Sequence, residues 1–292
     1  MKPLDILLGI SVPLIWGAGF VFAKAALEFF PPILLMALRF TVTALVLVWF
    51  VKPPWHLMGR ICLIALVSAA IQYGLTFGGL KHLDASTASL VIQLEVPFLV
   101  LLGAIFLREK PGLKKILAIA FAFGGVALIA GEPKLSGSMV PLFMVVGGAF
   151  FWACGQIMVR SLGEVGGFTL IAWVAVFAAP QLFAASLIFE SDQLRLIREA
   201  NWVVWSTVVY LGIVMTALGY GIWYHLVGRH PVNRVAPFLL LLPVFASMGG
   251  VVILGESLTA QIALGGAIVI ASVAAITVER PRKVAGDEGL GA

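Results

Sequence analysis

The chain consists almost entirely of apolar stretches long enough to cross a membrane, and that limits what it can fold into. A helix spanning a hydrocarbon core of about 30 Å needs about 20 residues with few charges. Ten such stretches fit the sequence, at 5–24, 32–51, 61–80, 86–107, 113–131, 138–159, 168–189, 202–224, 233–254 and 260–279. In lipid the backbone must satisfy its own hydrogen bonds, and continuous rather than alternating apolar runs do so as helices. The composition, 61% apolar and 11% charged with a mean hydropathy of +1.08, lies far outside the soluble range. The longest connection, 190–201, is too short for a soluble catalytic or nucleic-acid-binding domain. The predicted fold class is an all-α integral membrane protein of ten transmembrane helices.

The second half echoes the first. Ile-Trp-Gly-Ala-Gly-Phe-Val-Phe-Ala-Lys at 15–24 returns 136 residues later as Phe-Trp-Ala-Cys-Gly-Gln-Ile-Met-Val-Arg at 151–160. Trp16 thereby aligns with Trp152, Gly19 with Gly155 and Lys24 with Arg160. At an offset of 147, residues 70–77 align with 217–224, and Pro97 followed by Glu109 matches Pro243 followed by Glu256. Helices one, three and four therefore correspond to six, eight and nine. A unit of five crossings must be followed by a copy that enters the membrane from the opposite side. The expected plan is two inverted five-helix repeats, 1–134 and 135–280, with a disordered cytoplasmic tail at 281–292.

The net charge of +5 and pI near 9.4 record topology instead of an acidic partner. With the N-terminus inside, thirteen of the 19 basic residues fall at cytoplasmic helix ends, Arg108, Lys110, Lys114 and Lys115 among them. Lys24, Lys81, Lys134, Arg195 and Arg198 lie opposite, and Arg39 lies within a span. This positive-inside bias predicts that both termini are cytoplasmic and that the partners are the bilayer and a small molecule, not nucleic acid. The first apolar segment has no Ala-x-Ala cleavage signal and reads as a retained helix. Cys62 and Cys154 fall within spans and suggest neither a disulfide nor a metal site, and no cofactor is called for.

The Trp-Gly pair of the first helix, its echo in the sixth, and the Pro-to-Glu endings of helices four and nine carry a family likeness. Through them the chain resembles the drug/metabolite transporter superfamily over nearly all of residues 4–280. It is most similar there to the ten-helix EamA-type members and, among those, to YddG-type amino-acid exporters. The resemblance implies export of a small organic solute across a bacterial inner membrane. The chain departs from the pattern in its Pro-to-Glu spacings, 12 and then 13, and in Arg108 where a Gly usually precedes Glu109. Those departures bear on whether the two halves gate symmetrically.

The candidate cavity residues follow from periodicity and from polarity out of place. Trp16, Gly19 and Phe20 share one helix face at i, i+3, i+4, and Trp152, Gly155 and Gln156 repeat it. Tyr73 and Phe77, with Tyr220, Trp223 and Tyr224, form aromatic stripes on helices three and eight, and His225 stands where the first repeat has Gly78. Stripes of this kind are either packing or an aromatic wall for an amphipathic solute. Glu95, close to Gln93, is the one carboxylate well inside a span, and a charge at that depth must be paired or face water. It is either a cavity group or half of a structural ion pair with Arg39. Pro97 and Pro243 lie mid-helix and free the carbonyls of Gln93 and Leu239, which marks them as matched hinges beside a transport path. Glu109 and Glu256 end helices four and nine, where each serves as a gate or complements the dipole of the helix that follows. Helices five and ten carry small residues and no embedded charge, so they read as scaffold or as the surface of a weak homodimer, the alternative being a monomer.

Three function classes compete. The first is a secondary exporter of small metabolites, most of all amino acids, aromatic ones included, working by alternating access. Its runner-up is proton-coupled efflux of cationic drugs, which a deep acidic site favours. An intramembrane enzyme needs a nucleophile with its base, or clustered carboxylates for a metal, and the sequence offers neither. A channel needs a repeated ring of polar groups, and no such ring is written in the spans. With no P-loop, the chain has no nucleotide drive of its own.

Overall fold

In a computed structural model the described residues are 1–106, 108, 111–132, 139–163, 165–230 and 232–278, with the backbone alone for Tyr224, Val232 and Asn233. Among the described residues ten helices are long and apolar enough to cross a membrane: α1 (Pro3–Ala26), α2 (Pro32–Phe50), α3 (Trp55–Leu80), α4 (Ala85–Phe106), α5 (Leu113–Ala130), α6 (Val140–Arg160), α7 (Gly167–Phe189), α8 (Trp202–Arg229), α9 (Ala236–Leu254) and α10 (Ala260–Thr277). A short helix, Gln193–Glu199, bridges α7 and α8. α3 starts six residues before the apolar run does, and α8 continues five beyond its end. Hydropathy measures the hydrocarbon thickness, whereas backbone hydrogen bonding carries a helix on past it. Glu109, the expected 134/135 boundary and the 281–292 tail lie outside the described residues. The face where α1 starts and α10 ends is termed terminal, and the opposite face distal.

Large apolar side chains on the outside of the bundle, among them Leu45, Ile105, Phe143, Ile188 and Val252, are exposed as a lipid-facing surface is. Trp49 and Trp55 stand exposed at helix ends on the terminal face and Trp202 on the distal face, which are the levels where indoles anchor a membrane protein.

The two halves interlock, and most of the large contacts have an inverted partner. α1 packs on α8 and α9, and α6 correspondingly on α3 and α4; α2 lies on α8 as α7 lies on α3. α2 meets α7, α4 meets α9 and α5 meets α10 across the pseudo-two-fold axis. Small residues make these approaches possible. A Cβ added to Gly19 would overlap the Met215 sulfur, and one added to Gly155 would overlap Ser68. The repeat that aligns Gly19 with Gly155 also aligns Ser68 with Met215, so these are one contact seen twice.

Irregular backbone recurs at matched positions too. α3 widens into a π-helical segment at Leu66–Ile71 and α8 at Tyr210–Leu218. A shift of 147 residues carries the first inside the second. α4 tightens into a 3₁₀ turn at Ile92–Leu94 and α9 at Ala236–Leu241. These turns end just before Pro97 and Pro243, and they contain the carbonyls of Gln93 and Leu239 that the prolines leave free. The prolines accordingly sit in the first turn of the α-helical stretches Glu95–Phe106 and Leu242–Leu254. Both prolines lie within the spans of α4 and α9, and the irregular turn comes just before each of them.

Candidate functional site

Near mid-membrane α1 connects two aromatic groups. Trp16 stands on α8: its ring centroid lies 5.0 Å from Tyr220 and 6.3 Å from Trp223, over the hollow left by Gly219. Its Nε1–H donates to the Met215 carbonyl at 3.0 Å, inside the π-helical segment. From the same segment the Tyr210 hydroxyl donates to the Ile15 carbonyl at 3.0 Å. One turn on, Phe20 stacks on Phe77 of α3 at 6.0 Å, Phe77 stacks on Tyr73 at 5.6 Å, and Phe40 of α2 meets Tyr73 edge-on at 5.2 Å. The i, i+4 pair Trp16 and Phe20 thus reaches into one π-bearing helix from each half. Phe20 and Phe77 are buried, so they form packing wall, while Trp16, Tyr73, Tyr220 and Trp223 are half-buried.

Arg39 lies against this wall, buried to 1% exposure. Its Nε–H donates to Thr216 Oγ1 at 3.0 Å, and Thr216 Oγ1 donates onward to the Leu211 carbonyl at 2.8 Å. The guanidinium carbon lies 4.7 Å from the Tyr73 ring centroid and 5.5 Å from that of Phe40. The ion pair with Glu95 that the sequence suggested is not among those formed by the described residues. Packing of α2 on α8 directs Arg39 to Thr216 instead.

The second-repeat counterparts are looser. Trp152 and Gln156 are half-buried and form no hydrogen bond or ring stack among the described residues, although Gly155 between them is tight against Ser68. On α4 the Gln93 Nε2 is buried without a partner, and Glu95 is half-buried with none among the described residues. One turn on, Phe98 rests on Phe150 of α6 at 5.4 Å. His225 is exposed, where the aligned Gly78 lies beneath Met144. Of the expected residues, Trp16, Phe20, Tyr73, Phe77, Tyr220 and Trp223 are thus linked by ring contacts that α1 bridges, whereas His225, Trp152 and Gln156 stand apart.

Polar groups at the distal face lock helix ends across the halves. The Glu256 carboxylate accepts from the backbone N–H groups of Ala85 and Ser86 and from the Ser86 hydroxyl at 2.7 Å. It therefore caps α4 and not, as its position in the sequence suggested, the helix that follows it. α10 starts on its own cap, where Thr259 Oγ1 accepts from the Ile262 N–H. Glu190 at the end of α7 accepts from Ile33 and Leu34 at 2.7 and 2.9 Å, capping α2, and Glu132 accepts from the Thr259 hydroxyl at 2.6 Å. Lys24, which the repeat singled out, donates to the Leu80 and Lys81 carbonyls and closes the C-terminus of α3. A distal cavity of about 950 Å³ opens among these ends, lined by Glu28, Lys81, His82, Glu190 and Asp192 near its mouth and by Gly74, Gly78 and Met144 deeper in. At the terminal face Asp5 Oδ2 and His230 Nε2 lie 3.0 Å apart, joining α1 to the end of α8. None of these interlocks was foreseen. The carboxylates were visible as residues at helix ends, but the helix each one caps is set by three-dimensional packing.

Known proteins share this architecture. A family model, "EamA-like transporter family", matches residues 4–131 and 139–278. A "probable amino-acid metabolite efflux pump" of Salmonella typhimurium LT2 is 31% identical over 98% of this chain and the whole of that protein. Its namesake in Escherichia coli K12 is 31% identical over 92% of this chain and 93% of its own length. A "probable terminal-alkyne amino-acid exporter" of Streptantibioticus cattleyicolor is 33% identical over 72% of this chain and 71% of its own. A solved crystal structure, 20% identical, superposes with a TM-score of 0.62 over 95% of this chain and 98% of that one, which shows a shared fold. The chain belongs to the EamA-like transporter family and is a multi-pass membrane transporter.

Proposed function

We propose that this EamA-like transporter exports amino acids or closely related metabolites, aromatic ones included, across a bacterial inner membrane by alternating access. Its terminal face is cytoplasmic and its distal face opens outward. The observation that carries the mechanism is the matched irregularity. π-helical segments in α3 and α8 and 3₁₀ breaks in α4 and α9 flank the α1 contact, and inverted repeats let each pair bend in mirror fashion. The half-buried faces of Trp16, Tyr73, Tyr220 and Trp223 suit an amphipathic solute. The names of the relatives point to the same substrate class. Counterflow in proteoliposomes tests the reading: preloaded unlabelled amino acid should drive uptake of labelled amino acid, with Trp16→Ala slowing it at normal folded yield. Absence of counterflow for every amino acid tried would remove this substrate class.

One observation keeps the cation-efflux reading in play. Glu95, with no partner among the described residues, is the group a protonated or cationic cargo would seek. Under that reading Glu95→Gln abolishes lipophilic-cation transport and its pH-gradient drive, whereas an amino-acid uniporter keeps its counterflow rate in this variant.

A further inference from the structure

Arg39 bears a charge for which no counter-ion stands among the described residues. It is 1% exposed and begins about 10 Å below the distal start of α2. Among the described residues no carboxylate is bonded to it. Its partners are the Thr216 hydroxyl at 3.0 Å, the Met36 sulfur at 3.9 Å from Nη1, and the faces of Tyr73 and Phe40. A guanidinium offers five N–H donors in a planar fork, and these neutral partners leave most of the fork unbonded. π-Faces and a hydroxyl soften the burial of a cation but do not neutralise it. A neutral polar amide would be cheaper to bury if a tether to Thr216 were the only task, whereas a fork is shaped for a carboxylate.

We propose that Arg39 binds the carboxylate of the transported solute, with Tyr73 as the shutter over it. The proposal rests on the amino-acid reading and deepens it by naming the group that is recognised and the residue that recognises it. Access is short. Gly74, the chain neighbour of Tyr73, lines the deep end of the distal cavity, and a Cβ there would meet nothing within 4 Å. In this proposal the half-buried Tyr73 ring, which lies over the guanidinium, swings aside to open it toward that space. Binding then has a mechanical consequence. Thr216 belongs to the π-helical segment of α8, and Tyr73 follows that of α3 by two residues, so Arg39 of α2 is joined to irregular backbone in both halves. A carboxylate that takes the fork draws it from Thr216 and loosens α2 from α8, which ties occupancy to the relative position of the halves.

The test is ligand binding to the purified full-length protein in detergent, read by thermal shift and calorimetry. The probes are L-phenylalanine, L-threonine and L-cysteine, each beside its carboxamide, and phenylacetate, which has the carboxylate without the amine. Acids should stabilise the wild type and carboxamides should not. Arg39→Lys and Arg39→Gln should bind the acids about tenfold to a hundredfold more weakly, the scale of lost charge-assisted hydrogen bonds. Thr216→Val, which keeps the charge and removes its tether, should bind them at least as well as the wild type, and it serves together with Arg39→Lys if Arg39→Gln does not fold. Acids and carboxamides binding alike, or Arg39 variants binding the acids with wild-type affinity, overturns the assignment and leaves the amino-acid reading standing. Arg39-dependent binding of phenylacetate with no binding of any amino acid does the reverse. Binding of no carboxylate overturns both.

Discussion

Glu256 shows how much a single carboxylate can carry. At the end of α9 it gathers two backbone donors and a hydroxyl from the first turn of α4, satisfying N–H groups that a helix start otherwise leaves open. It also places its charge at the positive end of the α4 dipole. Charge-assisted bonds in a half-buried site are worth about 1.5–3 kcal/mol in aggregate after desolvation. Glu256→Ala is therefore expected to lower the melting temperature in detergent by about 3–12 °C, at about 2–4 °C per kcal/mol. Glu256→Gln, which retains an acceptor without the charge, should recover part of the loss. An unchanged melt in Glu256→Ala would show that the cap contributes nothing to stability. The helix-cap reading of Glu256 was thus legible in the sequence but attached to the wrong helix, because proximity along the chain is a poor guide to which N-terminus lies alongside.

At the scale of elements the matched breaks in α4 and α9 are the natural places for bending. A 3₁₀ turn has poorer hydrogen-bond geometry than an α-turn, and a proline following it leaves a carbonyl without its i+4 donor. Pro97→Ala and Pro243→Ala each return one donor and favour a continuous helix. Each should slow counterflow several-fold while leaving substrate affinity within about threefold, since a population shift affects turnover more than local contacts. Cysteines placed at the two mouths should change their accessibility in opposite directions in the two variants, because the repeats are inverted. The same direction in both, or unaltered counterflow in either, would make the breaks passive. The positions of these breaks could be read from the prolines. The π-helical segments could not, because no residue type announces an extra backbone residue in a turn, and they become visible only where α1 settles on α8 and α6 on α3.

For the whole molecule, topology follows from the distribution of charge. The terminal face carries the basic clusters, so Lys114→Cys in intact cells should be shielded from an impermeant maleimide and Ser191→Cys, at the distal cavity, should be modified. The opposite pattern would invert the orientation. The two faces are also not chemically equivalent. On the distal side Glu256 caps the first turn of α4 through Ala85 and Ser86. At the terminal face Asp5 and His230 join α1 to α8. Among the described residues, capping carboxylates hold the distal face and an Asp–His contact holds the terminal one.

The sequence by itself determined the ten crossings, their grouping into inverted fives and the family, because hydrocarbon thickness and internal duplication are written in one dimension. It also singled out Trp16, Phe20, Tyr73, Phe77, Tyr220 and Trp223, since helical periodicity puts residues on shared faces, but it grouped with them Trp152, Gln156 and His225, which stand apart. Which faces meet was decided only in the tertiary structure. An ion pair with Glu95 is one of the two readings the sequence allows for Arg39, yet Arg39 lies on Thr216 and the Tyr73 ring. The physical reason is that a buried charge takes the partner that packing brings within a few ångströms, and that partner, 177 residues away in the chain, has no signature in the sequence around Arg39.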